Sequence, residues 1–354
     1  MKVNHKIGLP EKGFYMKLKN TIFLLLILAC FNDAKGQDLH FTQFQFAPLT
    51  INPALTGAYY GSYRIGGIYR DQYRSVATNA FQTVDFMVDA PIMRGLRKQD
   101  WIGVGVGMDV IDKAGAAGFK RSFYRINGAY HLSLDEKQTS IFTVGLQYNT
   151  ANVSFNRLTT ADTRGGDANG DPDVERFNQS AMENDISDGY SDYQLGLMYN
   201  SRGQKTDFKI GVAAAKVLAP ELRFVQLEEK DMRITAFGTM TMQMNDKTSF
   251  SPAFLFQTQG PASEFSIQGQ MGYLIKPDKG IKLNGGLGMR FGDAIQVLAG
   301  VDIKDIRVGV SYDITISGLG GVNSNMGGFE LAVAYYGQIF RKPKIKPVIV
   351  CPRL

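Results

Sequence analysis

Cysteine and histidine are nearly absent: two of the first and three of the second in 354 residues. With Cys30 inside an apolar leader, the chain that follows keeps only Cys351, so an internal disulfide is excluded. A zinc cluster needs about four nitrogen or sulfur ligands, and His40, His131 and Cys351 are too few and too scattered to supply them. Covalent catalysis needs a nucleophile gathered with a base and an acid; nothing in the pattern gathers one, and no cofactor motif is present. Long apolar runs are missing too. Outside the leader no stretch approaches the roughly 20 residues of a membrane helix. A basic excess is also missing once the leader is set aside. Residues 1–36 carry six of the 39 basic and two of the 33 acidic residues, which leaves 33 and 31 and a formal charge of +2. A nucleic-acid partner would call for a basic stripe that survives this subtraction.

The leader has the layout of an export signal. Lys17 and Lys19 precede an apolar core from Thr21 to Phe31, and Ala34 and Gly36 place small residues where a signal peptidase reads. The expected cleavage precedes Gln37, and Met16 offers an alternative start. Cys30 as a lipoprotein cysteine is disfavoured by Leu28, which stands where a small residue is wanted.

What the chain does contain is alternation. Trp101 to Val110, WIGVGVGMDV, has Gly103, Gly105 and Gly107 but Met108 at the sixth place, so it departs from the dinucleotide fingerprint. Its period is two: Ile102, Val104, Val106, Met108 and Val110 face one way, Trp101, the glycines and Asp109 the other. The same profile returns with Phe142, Val144, Leu146 and Tyr148, with Tyr193, Leu195, Leu197 and Tyr199, and with Ile306 through Ile316. Apart from Met198, the opposite face of these three is polar or glycine. An aliphatic stripe ended by aromatics is the profile of a lipid-facing strand. Many runs reach ten residues, whereas soluble sandwich strands are usually about 5 or 6 long.

Such runs fall near 62–72, 80–90, 99–112, 117–133, 137–155, 191–201, 205–217, 231–244, 247–259, 262–275, 279–291, 293–304, 305–317 and 326–340. The fold predicted is all-β: a transmembrane outer-membrane β-barrel of about 14 antiparallel strands. Inward glycines are expected where a crowded lumen admits only the smallest side chain. The organisation is a signal peptide over 1–36, a periplasmic or plug segment over 37–61, the barrel over 62–340 and a basic tail over 341–354.

Within the longest connection, 156–190, Asp167, Asn169, Asp171, Asp173 and Glu175 supply oxygens at every second residue, as calcium loops do. Pro172 replaces the glycine of such a loop and Asn178 the bidentate Glu, so a solvated acidic loop is favoured and no metal is assigned. His131, with Asp135 and Glu136 following, is read as an exposed turn histidine ahead of a catalytic one. Arg64, Arg70, Asp85, Asp89, Lys282, Arg290, Arg307 and Asp313 fall on inward faces and are expected to form a structural network of both signs.

The stretch Gln43 to Arg74 is more specific. Gln43 and Gln45 precede Asn52-Pro53-Ala54-Leu55-Thr56-Gly57, and Tyr69-Arg70-Asp71-Gln72-Tyr73 follows. This resembles the opening of the PorP/SprF family, outer-membrane proteins of the type IX secretion system in Bacteroidetes; Tyr73 stands where that family more often has Trp. The resemblance implies an outer-membrane component of type IX secretion and gliding motility, assisting export or surface attachment of cargo such as adhesins. It implies as partners cargo with C-terminal sorting domains, periplasmic components including peptidoglycan-associated lipoproteins, and outer-membrane lipid. From the residues, Asn52-Pro53 predicts a rigid turn, and residues 37–61 either simply begin the barrel or fill its periplasmic mouth as a plug held by Arg70 and Gln72. The competing function is passive transport of small hydrophobic or nutrient molecules; a rim enzyme at His131 is a third.

Overall fold

The computed structural model describes residues 41–72, 81–94, 99–113, 119–155, 186–218, 231–317 and 326–339. The leader and its cleavage site, His40, Tyr73, the acidic run 167–175 and the tail with Cys351 lie outside the described residues.

Fourteen strands follow one another in sequence: β1 (Tyr63–Gln72), β2 (Phe81–Ile92), β3 (Trp101–Lys113), β4 (Phe119–Ser133), β5 (Ser140–Phe155), β6 (Ile186–Arg202) and β7 (Thr206–Ala215) complete the first half. The second half is β8 (Arg233–Gln243), β9 (Thr248–Gln259), β10 (Ala262–Lys276), β11 (Ile281–Arg290), β12 (Ala294–Ile303), β13 (Ile306–Thr315) and β14 (Met326–Gly337). Every neighbour is antiparallel, and β14 returns to β1 to close the barrel, with Tyr63 opposite Gly337 and Gln72 opposite Gly328. Closure leaves no strand edge unpaired, which is what a sheet in lipid requires.

Side chains obey the two-residue period. Along β5, Leu146 is 51% exposed on the outer face while the next residue, Gln147, is 2% exposed on the inner one. Outward aromatics gather near both strand ends: Tyr63, Tyr130, Phe142, Tyr199 and Tyr335 toward one rim, Tyr124, Tyr148, Tyr193, Phe265 and Tyr312 toward the other. Tyr63 meets Tyr335 edge-on at 5.9 Å, and Tyr148 lies 5.3 Å from Tyr193. These are the two interfacial girdles of a membrane barrel. The rim where β1 begins and β14 ends carries turns such as 203–205, 244–247 and 277–280, while the opposite rim carries the connections 156–185 and 216–232. Short turns belong to the periplasmic side and long loops to the outside.

One expected boundary moves. The connection read as 156–190 gives its last residues to β6, which starts at Ile186 and pairs with Phe155. The polar letters Ser187, Asp188 and Ser191 hide this extension, yet the alternation continues: Tyr190 turns inward to join Ala151, Val153 and Phe123 in an apolar cluster.

The lumen is filled by the chain's own N-terminal segment. Residues 41–61 pass through it as a 3₁₀ turn (Phe44–Phe46), a single-turn helix (Pro48–Ile51) and a second 3₁₀ turn (Pro53–Leu55), then enter β1. A β-carbon on Gly103 would come within 2.1 Å of the Thr56 carbonyl oxygen, and one on Gly145 within 2.3 Å of the Ala54 nitrogen. Gly105, Gly196 and Gly309 are likewise pressed by Thr56, Asn52 and Gln43. Gly103 and Gly105 of WIGVGVGMDV therefore help make the seat on which the plug rests, while Gly107 leaves room for the stem of Arg125.

Gly103→Ala forces the plug off its seat and is expected to destabilise the barrel by about 1–3 kcal/mol, the usual penalty of overpacking. Gly128→Ala, on the outer face of β4 with nothing within 4 Å of the new methyl, leaves stability unchanged. The check is the unfolding midpoint of each variant in detergent, and equal midpoints would refute the seat.

Candidate functional site

The plug's turns are written in its sequence. Proline opens the helix at Pro48 and the second 3₁₀ turn at Pro53, where its fixed φ and missing N–H do no harm. Between them Asn52 is extended, and its side chain accepts a bond from the Ala54 N–H at 2.8 Å. The other end of the same amide donates to the carbonyls of Leu197 at 3.2 Å and Val212 at 2.9 Å, on β6 and β7. Gly57 closes the motif at φ +70°, with Gly103 of the wall where its β-carbon would be. The motif residues from Asn52 to Gly57 are all buried.

A chain in this conformation has carbonyls with no ladder to join, and the wall supplies side-chain donors to them. Gln268 donates to the Thr42 carbonyl at 2.6 Å, Gln194 to Ile51 at 3.1 Å and Arg64 to Leu55 at 3.3 Å. Nε2 of His131 lies 2.8 Å from the Thr56 carbonyl, Trp101 donates to Gly57 at 3.3 Å, and Lys209 donates to Ala58 at 2.7 Å. Because a carbonyl only accepts, His131 carries its proton on Nε2 here, and its Nδ1 faces the Thr143 hydroxyl at 2.9 Å.

Two ionic locks hold the ends. Near the outer rim Arg70 pairs with Asp313 at 2.9 Å and with Glu330, and donates to the Thr42 hydroxyl at 3.1 Å. Glu330 in turn accepts the backbone N–H groups of Thr42 at 2.7 Å and Gln43 at 2.8 Å. Arg290 joins the same knot through Asp313 at 3.1 Å and Glu264 at 3.2 Å, and also reaches the Thr42 hydroxyl. Near the periplasmic rim Arg64 and Asp89 form a two-point pair, both bonds at 2.8 Å. Asp89 also accepts the Gly57 N–H at 2.7 Å, and its carbonyl accepts from the Tyr59 hydroxyl at 2.6 Å. A third knot, Arg125 with Asp85 and Asp109, ties β4 to β2 and β3.

Between the locks an apolar cluster joins Phe44, Ile51, Ala54, Leu55 and Ala58 of the plug to Met198, Phe237, Ala253 and Leu255 of the wall. Met198, the inward exception in β6, is the wall's contribution to this cluster. Taken with the bonds above, and with the approach of Gln296 to Thr42 at 3.4 Å, the plug meets all 14 strands of the closed barrel.

The inward charges expected from the sequence do form a network of both signs, apart from Lys282, whose stem lies over Gly272, and Arg307, which pairs with Asp302 on an exposed part of the wall at 3.1 Å. Three expectations need correction. The plug is not confined to the periplasmic mouth, because its first described residues, among them Thr42 and Gln43, are held beside the outer rim. Arg70 therefore holds its beginning rather than its exit, while Gln72 touches Arg70 and not the plug. His131 is not an exposed turn residue: it is fully buried and stacked on Trp101 at 4.6 Å. Nor does Asp135 assist it. That carboxylate closes the β4–β5 turn, accepting from the Thr139 hydroxyl at 2.7 Å and the Ser140 N–H at 2.7 Å, bonds that hold it below the usual carboxylate range.

Of the other motif residues, Gln45 is half-buried, and Tyr69 faces outward with its hydroxyl 3.3 Å from Asp71. Among the described residues no group of His, Cys, Asp and Glu is arranged to hold a metal ion, and the acidic run considered for calcium lies outside them. Sequence reasoning passed over Asp109, Arg125, Gln194, Gln268 and Glu330. The available signal was their inward phase on strands already recognised.

The family profile described as type IX secretion system membrane protein PorP/SprF matches residues 33–335. No curated protein matches the chain. Among solved structures it is similar to the toluene transporter TbuX of Ralstonia pickettii at 9% identity and TM-score 0.47, covering 83% of this chain and 94% of that one. It is also similar to the CymD monoaromatic hydrocarbon channel at 10% identity and TM-score 0.48, covering 83% and 93%. A third is BamA from Haemophilus ducreyi lacking POTRA domains 1-3, at 10% identity and TM-score 0.39, covering 78% and 70%.

Glu330→Ala leaves Arg70 and two plug N–H groups without their acceptor and is expected to cost about 3–5 kcal/mol, as breaking a buried pair does. Arg70→Ala added to it costs much less than Arg70→Ala alone. A double-mutant cycle on the unfolding midpoint checks this, and strictly additive losses would show that the two residues do not act as one lock.

Proposed function

The chain belongs to the PorP/SprF family of type IX secretion system membrane proteins, and from that premise we propose that it assists the export or surface attachment of cargo with C-terminal sorting domains, such as adhesins, and serves gliding motility. The protein is an outer-membrane β-barrel and a type IX component. In the proposed mechanism it binds and positions: the outer face holds cargo while the periplasmic face meets other components, peptidoglycan-associated lipoproteins among them. No covalent chemistry is assigned.

The observation that carries this reading is the plug. A diffusion pore needs a continuous wet path, and here a buried segment is bonded or packed to every strand of the wall. The charges around it are paired rather than arrayed as a ring of one sign, as a selective channel would have them. Such a barrel is suited to act as a rigid, sealed mount. The competing transporter reading rests on the room that fourteen strands could give a ligand path, and the likeness in fold to hydrocarbon channels adds nothing to it.

Deleting the gene and comparing medium and cell surface by mass spectrometry is the direct test. One or a few large sorting-domain proteins should leave the surface and accumulate inside; intact secretion with impaired uptake of a small solute would instead favour the transporter. In planar bilayers the complete protein should stay closed, and removal of residues 41–61 should open steady conductance. A complete protein that already conducts would contradict the sealed mount.

A further inference from the structure

The plug covers the periplasmic half of the lumen unevenly. Its bonds there go to the first seven strands, through Arg64, Asp89, Trp101, His131, the Leu197 and Val212 carbonyls and Lys209. From β8 to β11 the inward side chains nearest the periplasmic rim stay partly open to water: Thr241, Gln243, Ser251, Gln270 and Asn284. Farther in, Thr235, Leu255, Gln268 and Gln296 are buried. The result is a blind vestibule open to the periplasm, about 15 Å deep along each strand at about 3.4 Å per residue, and floored by the apolar cluster that Phe237 and Leu255 make with the plug. Arg202, Lys209, Lys282 and Arg307 face it, against Asp207 and Asp302, so cations outnumber carboxylates. These charges form one group: Lys209 lies within electrostatic range of Arg202, Arg307 and Asp207, and Lys282 within range of Arg307 and Asp302. A mouth lined with an excess of one sign focuses its field on ions of the other.

The cations are presented rather than consumed. Both guanidiniums lie over tyrosine rings, Arg202 at 4.3 Å from the centre of Tyr60 and Arg307 at 5.7 Å from that of Tyr336. Stacking fixes the plane of a guanidinium and leaves its N–H edge free to fork a carboxylate. Arg307 spends only its Nε on Asp302 and is 45% exposed, and the side chains of Arg202 and Lys282 make no ion pair among the described residues. The wall also shows how it receives a chain. Gln268 and Gln194 donate side-chain amides to plug carbonyls, and the open half repeats that chemistry with no backbone against it. Gln270 makes no hydrogen bond to the described residues, while Asn284 and Gln243 spend only their amide nitrogens. A small inorganic anion would answer the cations and leave these amides idle. The protein's own tail is kept out by like charge, since residues 341–354 hold five basic side chains and no acidic one. We propose that the vestibule docks an extended acidic segment of a periplasmic partner protein, its carboxylates on Arg202, Lys282 and Arg307 and its backbone on Gln270 and Asn284. This rests on the reading in which the periplasmic face meets other components, and states what such a component must carry.

The test is fluorescence anisotropy of a labelled Glu-Ser repeat peptide titrated with the complete protein in detergent. It should bind about tenfold or more tighter than a Gln-Ser repeat of the same length and lose that advantage as salt is raised. Lys282→Glu and Arg202→Glu should each weaken binding about fivefold or more, and Gln270→Ala should weaken it about twofold or more. Lys120→Glu, exposed on β4 at the other rim, should change nothing. Retained heat-modifiable migration on a gel shows that a variant still folds. No binding of the Glu-Ser repeat, equal binding of the Gln-Ser repeat or of inorganic polyphosphate, or indifference to Lys282→Glu and Arg202→Glu together would overturn the docking site. Specific binding of the peptide beside intact secretion in the deletion strain would overturn the secretion reading and leave the docking site standing.

Discussion

Every backbone carbonyl removed from water must find a donor, and a segment that fills a barrel instead of joining its wall has no ladder to provide one. That requirement organises this molecule. The carbonyls of Thr42, Ile51, Leu55, Thr56, Gly57 and Ala58 are met by Gln268, Gln194, Arg64, His131, Trp101 and Lys209. These donors come from six different strands, so the polar character of the inner wall serves the plug's backbone rather than a stream of water. The glycines obey the same constraint from the steric side. Gly103 and Gly145 let a backbone lie against a backbone where any side chain would hold the two apart.

The ionic knots then fix what the hydrogen bonds satisfy. Arg70, Asp313, Glu330 and Arg290 meet around one hydroxyl and two backbone N–H groups, so the start of the plug is held by charge in a place sealed from solvent. Arg64 and Asp89 do the same where the plug leaves for the wall. Replacing either knot by apolar side chains of like volume need not weaken the fold, since burying charge carries its own desolvation cost. What the pairs secure is direction: each guanidinium accepts only one arrangement of its carboxylates, and hence one path for residues 41–61.

The barrel was legible because its signal is local. A strand announces itself by side chains two apart, and β3, β5, β6 and β13 do so without ambiguity. The β5–β6 hairpin was misjudged at its outer end, where the faces exchange character: Ala151, Val153 and Tyr190 turn inward as an apolar cluster while Asn152, Ser187, Gly189 and Ser191 face outward. The plug's course was not legible, for a different reason. Its turns are too short to have a period, and its partners lie far along the chain: Asn52 is held by carbonyls of Leu197 and Val212, Thr42 by Glu330. The motif Asn52 to Gly57 could be read as a rigid turn, but not as one buried on all sides. His131 shows the same limit. Position near a strand end suggested exposure, while its inward phase, shared with Trp101 opposite, placed it under the plug.

The Arg70 knot also bears on the order in which the molecule is assembled. It joins the first strand to the last two, across separations of 243 and 260 residues, and bringing such distant strands together is the slow, entropically costly step of making a barrel. Residues 41–61 touch both sides of that final seam and connect to β1 at the opposite rim. Once the seam is shut they have no route inward except threading through a crowded lumen. They must therefore already lie within the curling sheet when β14 reaches β1, which makes a segment synthesised before any strand the template on which the last strand docks.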